Sequence, residues 1–122
     1  MRDSKKILIV DDEANFAKLL CAFLKQRGYQ VTVAQDGERA LQMLETSSPD
    51  LILLDLGLPG LSGDLVALRI KSENRSRIPI IALTGHGDPL TESTTRAVGF
   101  EDYVVKPFDS NDLIRRIETL LV

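Results

Sequence analysis

The chain is expected to be an α/β protein: a doubly wound five-stranded parallel sheet in strand order 2-1-3-4-5, built as (βα)5. Three observations predict this. Ile7-Leu8-Ile9-Val10, Leu51-Ile52-Leu53-Leu54 and Ile78-Pro79-Ile80-Ile81-Ala82-Leu83 are near-continuous apolar runs, as in strands covered on both faces. Such runs alternate with segments whose apolar residues recur on a 3.6-residue period. Four runs also end in polar groups: Asp11-Asp12, Asp55, Thr84 and Lys106-Pro107. Right-handed crossovers in that strand order would gather these four ends around one crevice, where open α/β sheets bind ligands.

The elements follow in order. A strand over about 6–11 leads to a helix over about 14–27, with Phe16, Leu19, Leu20, Phe23 and Leu24 in one stripe and Gly28 as C-cap. Tyr29 to Ala34 alternates and reads as a peripheral strand. Asp36 suits the N-cap of a helix over 37–46, with Ala40, Leu41 and Leu44 inward. Ser47-Ser48-Pro49 breaks the chain before a strand over 50–55. A loop from Gly57 to Gly63 enters a helix over 64–73, with Leu65, Leu68 and Ile70 inward. A strand over 79–84 is followed by Gly85-His86-Gly87 and by Asp88-Pro89, which suits N-cap and N1 of a helix over 90–98. Thr91, Ser93, Thr94 and Thr95 are poor helix formers, so this should be the least stable helix. Gly99 ends it. A strand over 102–106 and a helix over 110–121 close the chain, the helix turning Leu113, Ile114, Ile117, Leu120 and Leu121 inward.

Composition narrows the class. The 122 residues suit one domain, 1–122, with one core. The last helix should end where the chain does, so the chain either works alone or was cut from something longer. A net charge of −3 without a basic run argues against direct nucleic-acid binding. The single cysteine, Cys21, reads as packing and fits a reducing cytoplasm. No signal peptide or membrane-length apolar run is visible.

The strand ends carry the chemistry. Asp11, Asp12 and Asp55 should converge, and three carboxylates without a cation would repel and raise at least one pKa. Mg²⁺ resolves this, as a hard cation held by carboxylates, water and phosphate oxygens. Asp55 follows the most hydrophobic run, so its carboxylate should be rigidly held and could attack a phosphoryl group to form an acyl phosphate. Lys106 would neutralise another side of the transferring group, and the Thr84 hydroxyl could donate to it. Tyr103, three residues before Lys106, is either a core residue or a rotamer switch; spacing alone leaves both open. His86, the only histidine, is expected to be exposed at the crevice mouth, where it could touch a hydrolytic water.

These stretches, with Asp11-Asp12-Glu13, Leu53-Leu54-Asp55-Leu56-Gly57-Leu58-Pro59-Gly60, Leu83-Thr84-Gly85-His86 and Tyr103-Val104-Val105-Lys106-Pro107-Phe108 in this order, closely resemble the receiver domain of two-component response regulators. The resemblance covers essentially the whole chain and implies a CheY-like, flavodoxin-like fold. It implies that Asp55 accepts a phosphoryl group from a sensor histidine kinase or phosphotransfer protein. Asp11, Asp12, Asp55 and the Gly57 backbone carbonyl would hold Mg²⁺, with Mn²⁺ as a substitute. Thr84 and Lys106 would bind phosphoryl oxygens, Thr84 and Tyr103 would form a switch, and the Lys106-Pro107 bond would be cis. The switch would shift the population of two arrangements of the face formed by the fourth and fifth strands and helices. Gly57 and His86 would tune hydrolysis. Such a domain assists its own phosphorylation and dephosphorylation but turns over no external substrate. Its partners would be the kinase, a downstream effector or fused output domain, and a phosphorylation-dependent second copy, with no membrane involved. Arg69, Lys71, Arg115 and Arg116 are candidate partner contacts.

Three rivals differ in class. A flavodoxin-like cofactor binder needs a glycine- and hydroxyl-rich phosphate loop where Asp11-Asp12-Glu13 stands. An aspartyl phosphatase of the haloacid dehalogenase type wants a second Asp where Gly57 stands. A receiver that takes no phosphate would serve only as a docking module.

Overall fold

Five strands, β1 (Lys6–Val10), β2 (Gln30–Ala34), β3 (Leu51–Asp55), β4 (Ile80–Thr84) and β5 (Asp102–Val105), pair in parallel in the order β2-β1-β3-β4-β5. The computed structural model describes residues 4–58, 60, 63–72, 77–85 and 99–121. Its helices are α1 (Ala14–Gln26), α2 (Gly37–Leu44), α3 (Gly63–Ser72) and α4 (Ser110–Leu120). The helix expected over 90–98 lies outside the described residues, as do His86, Gly87, Asp88-Pro89 and part of the loop before α3.

Period-two alternation divides the core between the sheet's faces. Leu8, Val10, Ile52 and Leu54 point to one side, against Ala40 and Leu44 of α2 and Val66, Ala67 and Ile70 of α3. Ile7, Ile9, Leu51 and Leu53 point to the other, against Ala17, Leu20 and Leu24 of α1 and Leu113, Ile114 and Ile117 of α4. The four apolar residues of β3 are each 0% exposed. Burying each side chain contributes about 1.5–3 kcal/mol, so a register slip that turned them outward would be costly. Asp55 is therefore held at a fixed depth. The ladder also continues one residue past the strands: Asp11 N–H donates to the Ala34 carbonyl at 3.0 Å, and Lys106 N–H to that of Thr84 at 2.7 Å.

Three helix positions differ from the expectation. Leu19 is 73% exposed, and Leu65 and Leu68 are 49% and 46% exposed. In α3 the buried stripe is Gly63, Val66, Ala67 and Ile70, also at helical spacing. The reason is steric: small residues let α3 approach the end of β3, so closely that a Cβ at Gly63 would lie 2.7 Å from the Asp55 backbone oxygen. In α1 the buried stripe is Ala17, Leu20 and Leu24, and Leu19 lies outside it. The C-cap of α1 is Arg27, and Gly28 follows it at φ 94°, a left-handed conformation that glycine adopts without a Cβ clash.

Candidate functional site

The β1–α1 turn is built around carboxylates. Asp11, 0% exposed, accepts the Glu13 N–H through Oδ1 at 2.9 Å. Glu13 in turn caps α1, accepting from Asn15 N–H at 3.2 Å and Phe16 N–H at 2.8 Å. This orders the first turn of α1 and leaves Asp11 Oδ2 facing the crevice. Asp12 is exposed beside it.

Asp55 ends β3 and is 8% exposed. Its Oδ1 accepts the Gly57 N–H at 3.0 Å, which fixes the carboxylate plane. One ligand oxygen from each of Asp11, Asp12 and Asp55 lies within 4.8 Å of the others. Among the described residues this is the one cluster of three or more side chains able to ligate a metal.

Lys106, just past β5, supplies the balancing charge. Its Nζ donates to Asp11 Oδ2 at 2.9 Å and stands 3.7 Å from Asp55 Oδ2. Burial pushes the Asp55 carboxyl above its ordinary value of 3.8; the Gly57 N–H and Lys106 oppose the rise, and the charges of Asp11 and Asp12 add to it. One ammonium thus leaves three clustered carboxylates short of positive charge. Their hard oxygen donors fit Mg²⁺ or a similar divalent cation.

Thr84 ends β4 and is 1% exposed, pairing in register with Val105 beside Lys106. Tyr103 is half-buried on β5 and packs against the core cluster of the α2/α3 face. The Lys106-Pro107 peptide is cis. Asp11, Asp12, Asp55, Gly57, Thr84 and Lys106 therefore share one edge of the sheet, where the strand ends converge. His86 lies outside the described residues.

Sequence reasoning missed two parts of this arrangement. Phe16, read only as core, places its ring face 4.3 Å from Lys106 Nζ. Glu13 carried a signal, since an acidic residue just before a helical stripe can cap it. Lys71, Arg115 and Arg116, considered as partner contacts, are engaged within the chain. Lys71 reaches Glu101 at 3.0 Å and the Ile78 carbonyl at 3.0 Å. Arg116 reaches Asp102 at 2.7 Å and Asp112 at 3.0 Å, and Arg115 reaches Asp112 at 3.2 Å.

Comparison with known proteins converges on the same set of folds. The family model for the response regulator receiver domain matches residues 7–118. The probable transcriptional regulator ycf27 of Cyanophora paradoxa is 43% identical over 119 residues, covering 98% of this chain and 49% of that protein. The phosphate regulon transcriptional regulatory protein PhoB of Escherichia coli is 37% identical, over 97% of this chain and 52% of that protein. This chain thus spans about half the length of the curated relatives it matches. The response regulator TrrA of Thermotoga maritima, solved with Mg²⁺ and BeF, superposes with a TM-score of 0.86 at 35% identity, over 96% of this chain and 99% of that one. Among the described residues, no helix is long and apolar enough to cross a membrane.

Proposed function

The chain belongs to the response regulator receiver domain family, and from that premise we propose that Asp55 is the residue that accepts the phosphoryl group. The observation that carries this reading is the clustering of Asp11, Asp12 and Asp55 with Lys106 bridging two of them.

Asp11, Asp12, Asp55 and the Gly57 carbonyl would hold Mg²⁺ or Mn²⁺, which supplies charge neutralisation for the incoming phosphoryl oxygens. The chain's own residues do the rest. A carboxylate oxygen of Asp55 attacks phosphorus of a phosphohistidine. The P–N bond breaks, its electron pair returns to the imidazole, and an acyl phosphate forms on Asp55. The Gly57 N–H, donating to Oδ1 at 3.0 Å, keeps the carboxylate oriented for that attack. Lys106 and the Thr84 hydroxyl take phosphoryl oxygens. Thr84 and Tyr103 then report the new charge across β4 and β5, and hydrolysis by the chain's own site, tuned at Gly57 and His86, resets it.

The donor is a sensor histidine kinase or phosphotransfer protein in the cytoplasm. The recipient of the signal is an effector or an output segment of a longer protein, in keeping with relatives described as transcriptional regulators about twice this length. Incubation with acetyl phosphate and Mg²⁺, followed by intact-mass measurement, tests the assignment. A gain of one phosphoryl group that Asp55→Asn abolishes is the expected result. No gain in the parent chain would leave a docking module as the better description.

A further inference from the structure

Three groups surround the ammonium of Lys106. Two are carboxylates, Asp11 Oδ2 at 2.9 Å and Asp55 Oδ2 at 3.7 Å. The third is the ring of Phe16, whose centroid lies 4.3 Å from Nζ. That ring is not loosely placed. It meets Phe108 edge to face, with centroids 5.8 Å apart and planes at 85°. Its backbone N–H donates to the capping carboxylate of Glu13 at 2.8 Å, and the Glu13 N–H donates to Asp11 at 2.9 Å. The aromatic face, the buried carboxylate and the lysine are therefore fixed to one another through a single turn.

A lysine side chain is long, and its ammonium is a point charge without directional geometry. Ion pairs alone would let it follow whichever carboxylate is most negative. In the proposed reaction Asp11 must turn its oxygens to a metal ion, which withdraws the shorter of the two pairings. The ring quadrupole attracts the ammonium without using any carboxylate lone pair, so it persists when Asp11 is engaged elsewhere. An aliphatic side chain at position 16 would fill similar space without that attraction.

We propose that Phe16 is a positioning residue for phosphoryl transfer: its π face, braced by Phe108, holds the Lys106 ammonium beside Asp55 when the Asp11 oxygen is no longer its partner. This rests on the reading of Lys106 as a phosphoryl-binding group.

The test is a double-mutant cycle on the rate of phosphorylation by acetyl phosphate, with Phe16→Leu, Lys106→Ala and the pair. Phe16→Leu should slow the reaction roughly three- to tenfold in the parent chain and leave the Lys106→Ala background unchanged. Phe16→Tyr should react within about twofold of the parent, because it keeps the ring face. In the metal-free protein, the Lys106 ε-methylene proton resonance should be shifted upfield by the ring, and the shift should vanish in Phe16→Leu but not in Phe16→Tyr. Equal slowing by Phe16→Leu with and without Lys106 would make the ring merely structural and overturn the proposal. So would an unshifted lysine resonance. If Lys106→Ala reacts like the parent, the reading of Lys106 itself fails, and the inference falls with it.

Discussion

Lys106 Nζ lies 2.9 Å from Asp11 Oδ2 but 3.7 Å from Asp55 Oδ2, so the lysine pairs more closely with the fully buried carboxylate than with the phosphoryl acceptor we propose. The choice follows from solvation. Asp11 is 0% exposed and has lost its water, whereas Asp55 is 8% exposed and already accepts the Gly57 N–H.

Removing that lysine leaves Asp11 buried beside two other carboxylates. With the lysine's own partial exposure discounted, Lys106→Ala should destabilise the metal-free protein by about 1–3 kcal/mol. Saturating Mg²⁺ should recover part of the loss, since it restores positive charge to the same oxygens. Urea unfolding in EDTA and in Mg²⁺ measures both; an equal loss in the two conditions would contradict the electrostatic account.

The raised carboxyl of Asp55 gives a signed pH dependence. Between the unfolded value of 3.8 and the higher folded value, the native state binds more protons than the unfolded state, so this group makes stability fall as pH rises. Asp55→Asn lacks that slope. In EDTA its urea midpoint should match the parent's well below pH 3.8 and exceed it at neutral pH. A variant less stable than the parent at neutral pH would show that burial and neighbouring charge do not dominate at this position.

Divalent cations should stabilise the fold by mass action, because the three-carboxylate cluster exists only in the native state. Asp12 is exposed, so Asp12→Asn should fold normally yet weaken Mg²⁺ binding by roughly tenfold, about 1.4 kcal/mol. Melting temperature against Mg²⁺ concentration reads this directly. An unshifted midpoint would remove Asp12 from the coordination set.

Gly63 is where α3 touches the end of β3. A Cβ there would stand 2.7 Å from the Asp55 carbonyl oxygen and 2.9 Å from Leu56 Cα, and neither backbone atom can yield cheaply. Gly63→Ala should cost about 1–3 kcal/mol and, by displacing the Asp55 backbone, weaken Mg²⁺ binding as well. Chemical denaturation and metal titration of the same variant separate the two effects.

Gly57 leaves room beside the acceptor, since a Cβ would lie 3.6 Å from Asp55 Oδ1, an ordinary contact. Gly57→Asn should therefore phosphorylate normally but change how long the acyl phosphate lasts. A side-chain amide able to order water should speed its loss by roughly three- to tenfold, on the order of 1 kcal/mol in the barrier. The decay of the phosphorylated mass after removal of donor gives the rate; an identical lifetime would exclude position 57 from hydrolysis control.

The strands were legible in the sequence because a strand covered on both faces has to be apolar almost throughout. Ile7 to Val10, Leu51 to Leu54 and Ile80 to Leu83 leave little choice of element or depth. The gathering of Asp11, Asp55, Thr84 and Lys106 followed from the same fact, since parallel strands bring their C-terminal ends to one edge. Helix faces were less legible. In α3, Leu65 and Leu68 outrank Gly63 and Ala67 in hydrophobicity, yet the small residues turn inward because the end of β3 leaves no space for more.

By itself, then, the order of residues determined the parallel strands and the set of polar groups at their ends, because each depends on local pattern and chain direction. Only the folded molecule decided that Lys106 pairs with Asp11 more closely than with Asp55, that Phe16 and Phe108 brace that lysine, and that Leu19 faces outward. Those outcomes depend on distances between side chains far apart along the chain, set by how helices pack on a twisted sheet, and no period in the sequence encodes them.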